Sequence, residues 1–183
     1  VRHYIRVKED KAFHQKKNRL VFRGKLDYKE KRKKFFEMYF DHPMCDLGDT
    51  QQKKINPDKW KVKKTSIHYL LQYKFILAIE GNDVASNLKW VMSSNSLAVM
   101  PEPEYETWFM EARLIPDYHY VAIKRDYSDL EEKLNYYTEH EDKALHIIRN
   151  AKEYVDQFWD EEREDLISLL VMQKYFDKTK IDI

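Results

Sequence analysis

Residues 74–92 read KFILAIEGNDVASNLKWVM, and no other stretch of the chain narrows its fold so far. The apolar run at 75–79 predicts a buried strand, the polar residues 80–83 a sharp turn, and residues 84–92 a helix. A strand, a glycine turn and a helix N-terminus in succession make a ready anion site. Free backbone N–H groups converge there, and the helix dipole adds positive potential. Gly81 is one of only three glycines in the chain. A phosphate approaches the backbone closely only where no Cβ stands in its way. Folding alone can also place a glycine in such a turn.

The same alternation extends along most of the chain. Residues 19–22 (RLVF) predict a short strand ending at Arg23-Gly24. Asp27 is placed to cap a basic helix running to about Phe40, with Phe35, Phe36, Tyr39 and Phe40 as its apolar edge. Pro43 stops that helix, and a second short strand is expected at 45–47, before Gly48. Residues 48–64 are polar, lysine-rich and without period, and read as a long exposed loop. Ser66 then caps a short helix at 67–72. After the strand and helix of 75–92, a strand is expected at 97–100, closed by Pro101 and Pro103. A short helix near 107–111, a strand at 119–123, and a helix at 129–139 capped by Ser128 follow. Helices at about 142–159 and 162–176 complete the chain. This order predicts an α/β fold, a Rossmann-like parallel sheet with helices on both faces and a helical C-terminal end. In such sheets ligands bind at the carboxyl ends of the strands, where strand order reverses. Arg23-Gly24, residues 80–83 and residues 101–106 all fall at predicted strand ends.

With 183 residues, 43% of them hydrophobic, the chain can bury one sizeable core. It has no apolar run of about 18 residues, the length a membrane helix needs. The single Cys45 excludes an internal disulfide and fits a reducing compartment. His3, His14, His42 and His68 show no metal-ligand spacing with one another or with Cys45. The net charge of +1 conceals a split. Residues 1–74 carry 21 Lys/Arg against 9 Asp/Glu, and residues 75–183 carry 12 against 23. The basic half can face phosphate, an anionic glycan or an anionic membrane surface, or the two halves can simply attract each other.

The order of FRG, EGND, SNLKW, PEPEYETWF, P-x-x-HYV and SDLEEKLNYY resembles glycosyltransferase family 90, over residues 19–176. This is the family of capsule-associated transferases and protein O-glucosyltransferases, and the likeness is strongest to its bacterial lipopolysaccharide branch. The resemblance implies a two-lobed GT-B architecture, of which this chain is the C-terminal, donor-binding lobe. Residues 1–18 would be the inter-lobe connection, 19–140 the lobe, and 141–183 the helices that complete it. The chain begins at Val1 rather than Met, consistent with a fragment. The resemblance also implies a nucleotide-sugar donor, UDP-glucose or similar, inversion at the anomeric carbon, and no metal or other cofactor. The catalytic base is then expected in the N-terminal lobe, outside this chain.

Carried over by motif, Arg23 and Gly24 would meet the donor diphosphate, and Gly81 to Lys89 would form the turn and helix beneath it. A guanidinium suits this task because its fork of donors matches phosphate oxygens. Many family members carry an arginine where this chain has Asn87. Lys89 or the lysine-rich loop is then expected to supply that charge. Glu80 and Asp83 are placed to accept ribose or sugar hydroxyls, though Asp83 equally caps the helix. Asn82 either touches ligand or takes a left-handed turn conformation. Ser86 lies within reach of a diphosphate, and Lys89 has an ordinary solvated role as its alternative. Of Glu104 and Glu106, Glu106 is the preferred carboxylate for ribose or sugar, with dipole stabilisation of a helix start as the alternative. His119 is expected to be structural.

The resemblance thus implies the donor part of a hexosyltransferase acting on a surface glycan such as lipopolysaccharide core or capsule. It would work in the cytoplasm, with a lipid-linked or free glycan as acceptor, peripheral inner-membrane contact and no nucleic-acid partner. A nucleic-acid-binding module is the rival, supported by the basic half and its interleaved aromatics. A non-catalytic interaction domain is the third reading. If the last helix packs on a first lobe, apolar surface around residues 166–176 would be left exposed.

Overall fold

The computed structural model describes residues 5–51 and 55–179. Five strands form one sheet: β1 (Lys17–Gly24), β2 (Cys45–Asp49), β3 (Tyr73–Leu77), β4 (Leu97–Met100) and β5 (Val121–Ala122). Every pairing is parallel, in the order β2-β1-β3-β4-β5. The expected Rossmann-like arrangement is therefore what the chain adopts. The helices are α1 (Glu30–Tyr39), α2 (Ile67–Leu70), α3 (Leu88–Met92), α4 (Leu130–Glu139), α5 (Glu141–Asp156) and α6 (Glu161–Thr179).

The period of two along the strands sorts the core into two layers. Phe75, Leu77 and Ile79 point to the face covered by Phe35 and Phe36 of α1 and by Leu130 and Leu134 of α4. Ile76 and Ala78 point to the other, against Leu88, Val91 and Met92 of α3. Helix α5 serves both, with Ile147 in the first layer and Ala151 and Val155 in the second. Burial on both faces is why residues 75–79 form an unbroken apolar run. Beneath the sheet, Lys16 ties the segment before β1 to the lobe. Its Nζ lies 2.7 Å from Asp10 Oδ1, 2.7 Å from Leu71 O and 2.9 Å from Ser96 Oγ.

Several boundaries differ from expectation. β3 begins at Tyr73 and ends at Leu77, two residues ahead of the predicted strand. Asp27 does not cap α1: its φ of 41° lies outside the extended geometry of an N-cap, a position held by Lys29. Ser128 does not cap α4, because its hydroxyl donates to Asp126 Oδ1 at 2.8 Å. Ser66 does cap α2, accepting from Tyr69 N. The described residues of the expected loop at 48–64 are more ordered than their composition implies. Asn56 donates to Asp49 Oδ2 at 2.9 Å, and Trp60 is buried against Phe36 and Phe40. Lys53 and Lys54, two of the lysines expected to reach a ligand, lie outside the described residues.

Helix α6 stands apart. None of its residues is buried, and Leu166, Ile167, Leu169, Leu170, Val171, Met172 and Tyr175 are all exposed. Among the described residues no helix is long and apolar enough to cross a membrane.

Candidate functional site at the carboxyl rim of the sheet

The strand order reverses between β1 and β3. The connection after β1 leads to α1 on one face, and the connection after β3 leads to α3 on the other. The two chains diverge at their carboxyl ends and leave a crevice, the place where parallel α/β sheets take ligands. Arg32 of α1 spans it. Its Nη1 donates to Lys25 O at 2.8 Å and its Nη2 to Ile79 O at 3.0 Å, with the guanidinium over the Phe22 ring. Among the described residues no carboxylate pairs with Arg32, and its buried Nε has no hydrogen-bond partner. Burial lowers the guanidinium pKa, an effect opposed by Asp27 and Asp83, yet an arginine stays charged in proteins.

Gly81 lies directly against this cation. A Cβ there would stand 2.8 Å from Lys29 Cε and 3.0 Å from Arg32 Nη2. The glycine thus lets these two side chains lie close against the turn and does not serve a left-handed backbone, since no glycine here has positive φ. Asn82 is not left-handed either, and is exposed beside Lys25 and Lys29. The anion-attracting charge comes from α1 rather than from the helix after the turn. That helix, expected from residue 84, begins only at Leu88 and is five residues long, too short for an appreciable dipole. Asp83 and Ser86 are exposed ahead of it. Asn87 occupies its N-cap without a side-chain cap bond and donates instead to Leu77 O at 2.9 Å, fastening the turn to β3.

Beside the crevice a cavity opens between the ends of β3 and β4. Ala78, Ala85, Leu88 and Met100 floor it, and Lys31, Glu80, Glu104 and Arg125 edge it. Glu80 accepts from the amides of Glu104 and Tyr105 at 2.9 and 3.1 Å and from Lys31 Nζ at 3.1 Å. Of the two carboxylates weighed from sequence, Glu104 lines the cavity, while Glu106 is exposed beyond it.

Two of the predicted cations are committed elsewhere. Arg23 turns toward β2 and α2, donating to Asp46 Oδ1 at 2.6 Å, Asp46 O at 2.7 Å and Tyr69 OH at 3.3 Å. Its side chain is only 8% exposed, so a phosphate would have to displace an internal carboxylate. Lys89 is neither at the crevice nor solvated. It is buried under the Phe109 ring and paired with Glu111 at 3.1 Å. His119 is structural: its Nδ1 accepts from Ile115 N, and its ring packs on Tyr118 and Tyr154. Among the described residues, no three His, Cys, Asp or Glu side chains converge as a metal site would require.

Sequence reasoning missed Arg32, Lys29, Lys31 and Arg125. The signal for the first two was the basic run at the start of α1, where residues 29 and 32 share a helix face. The loop lysines expected to help are partly satisfied locally, Lys59 by Asp41 at 2.8 Å and Lys61 by Asp58. Pairs such as Arg6–Asp156, Lys31–Glu80 and Lys31–Glu104 show that the basic and acidic halves partly neutralise each other.

The chain is 42% identical over 176 residues to O-glucosyltransferase LpsA of Dichelobacter nodosus, covering 96% of this chain and 55% of that protein. It is 28% identical over 170 residues to Protein O-glucosyltransferase 3 of Homo sapiens, covering 89% of this chain and 32% of that one. The chain thus spans about half the length of the bacterial relative and about a third of the human one. The glycosyl transferase family 90 profile matches residues 2–180, and the chain belongs to that family.

Proposed function

We propose that this chain is the donor-binding part of a glucosyltransferase that uses a nucleotide sugar, UDP-glucose or a close analogue, and inverts the anomeric carbon. The observation that carries the reading is Arg32, a half-buried cation with no carboxylate partner among the described residues, bridging the ends of β1 and β3 against Gly81. A diphosphate at this crevice would meet Arg32 and Lys29 from α1 and the backbone from Gly24 and from Gly81 to Asp83. Ser86 and Asn87 would flank it. Such donors stabilise the charge that develops on the departing diphosphate, which is where glycosyl transfer needs help. The neighbouring cavity, with its apolar floor and the carboxylate of Glu80, would receive the nucleoside or sugar. The base that deprotonates the acceptor hydroxyl is expected outside this chain, in a second lobe of a GT-B enzyme.

In this reading the acceptor is a surface glycan, lipopolysaccharide core or capsule, as the resemblance to the family's bacterial branch implies. Work on the cytoplasmic side, with peripheral contact to the inner membrane, is part of the same proposal, and no metal is needed in it. Thermal stabilisation tests the reading directly. UDP at one hundred times its dissociation constant should add about 2.7 kcal/mol to stability. ADP, GDP and inorganic phosphate should add less. The UDP shift should largely vanish in Arg32→Ala and persist in Arg23→Met, because only the first guanidinium faces the crevice. A shift that survives Arg32→Ala and disappears in the Arg23 variant would return the phosphate role to Arg23.

A further inference from the structure

The chain itself crosses the cavity mouth and narrows it. Residues 101–105 leave β4 through Pro101 and Pro103, each with φ fixed by its ring, and cross the rim as a stiff strap. Glu80, 13% exposed at its side chain, is the anchor, accepting from the amides of Glu104 and Tyr105. The Glu104 carboxylate then lies between two cations. Lys31 Nζ is 2.6 Å from its Oε2, and Arg125 Nη1 bonds its Oε1. The Tyr105 ring faces the same Lys31 ammonium from 5.7 Å. The cavity narrowed in this way measures about 60 Å³. Pockets for small molecules run to roughly 300–1,000 Å³. A nucleoside would fill it only if the strap moved aside.

We propose that Glu104 is an internal stand-in for a phosphate group: a nucleoside diphosphate seated at the crevice on Arg32 and Lys29 also competes with it for Lys31 and Arg125, and its displacement frees residues 102–106 and widens the cavity. The proposal rests on the nucleotide-binding reading above. The side chains that would exchange partners are accessible, Lys31 at 40%, Glu104 at 39% and Arg125 at 55%. Exposed pairs are individually weak, so each is readily traded for another anion. A diphosphate brings more charge than one carboxylate, and acceptor oxygens that match a guanidinium fork. The buried pairs Lys89–Glu111 and Arg23–Asp46 are unsuited to such exchange, because a buried charge left alone is costly. Competition of this kind favours ligands with phosphates over the neutral sugar alone and holds the cavity narrow between them.

The test is calorimetric titration of the 183-residue chain with UDP and, separately, with inorganic pyrophosphate, in wild type and Glu104→Gln at low salt. Removing the competing charge should tighten both ligands about two- to five-fold, the range an exposed ion pair supplies. The gap should close as salt rises. Amide exchange at Glu104 and Tyr105 should accelerate when UDP binds the wild type. Equal or weaker pyrophosphate binding by the variant overturns the proposal. Weaker UDP binding with pyrophosphate unchanged also overturns it, assigning Glu104 to a nucleoside hydroxyl while the donor site stands. No binding of either ligand to either protein overturns the donor site and the strap together. Thermal midpoints of both proteins confirm that the exposed substitution leaves the fold intact.

Discussion

Arg23 of β1 and Asp46 of β2 form an ion pair at 2.6 Å, and the same carboxylate accepts from Tyr69 OH at 3.1 Å and from Tyr73 OH. Burial works against the charged carboxylate, but bonds from Tyr73, Arg23 and Tyr69 together hold its pKa below the ordinary value. A carboxyl depressed in the folded state stabilises above its unfolded pKa, near 4, and that contribution is lost as pH falls through the folded value. Asp46→Asn should therefore destabilise at pH 7 by roughly 3 kcal/mol, the lower end for breaking a largely buried pair. It should also lose part of the stability slope below about pH 4. Urea unfolding at pH 7 and at pH 3 measures both.

The buried pair Lys89–Glu111 leads to a different expectation. Glu111 also accepts from Thr107 N at 2.7 Å and from Thr107 Oγ1, so it organises the turn that carries Trp108 and Phe109. Lys89→Met should leave this carboxylate buried and uncompensated at a cost of about 3–5 kcal/mol. The double variant Lys89→Met/Glu111→Gln should recover a sizeable part of that loss, because no net charge is then buried. A full loss in the double variant would show that the turn, rather than the charge, dominates.

How much of this was legible in the sequence follows from where each energy is local. The β3 run at 75–79 was readable because a strand covered on both faces must be apolar throughout. Ser66 was readable as a cap because the bond to Tyr69 N spans only three residues. Asp27 and Ser128 looked like caps for the same reason, but each was claimed by another side chain or by a left-handed backbone. Lys89 read as a donor contact, or else as a solvated lysine, because its partner Glu111 lies 22 residues away and no local pattern marks that pair. Arg23 and Arg32 were indistinguishable as isolated arginines. Only the pairing of β1 with β2 hands the first to Asp46, and only the crossing of α1 over the switch point leaves the second facing the crevice.

Helix α6 buries none of its residues, so its side chains contribute little to the stability of this chain. Leu169→Asn and Leu170→Asn should each change the unfolding free energy by less than about 0.5 kcal/mol, as surface substitutions do. Both should raise solubility by breaking an apolar patch. A loss above about 2 kcal/mol, the size of a core leucine truncation, would mean that the helix packs on the lobe in solution.

Gly81→Ala separates folding from binding most sharply. The backbone at Gly81 is not left-handed, so alanine meets no conformational strain there. What its Cβ meets is Lys29 Cε at 2.8 Å and Arg32 Nη2 at 3.0 Å, the ends of two long side chains that can swing aside. The cost to folding should stay below about 1 kcal/mol. Swinging aside removes Arg32 from Ile79 O and pulls both cations from the crevice, so UDP binding should weaken about ten-fold or more, the loss of one or two charge-assisted hydrogen bonds. Paired measurements of the thermal midpoint and of UDP affinity decide the matter. A variant that binds UDP normally would show that the diphosphate does not sit against Gly81, and one that fails to fold would show that the glycine serves the turn alone.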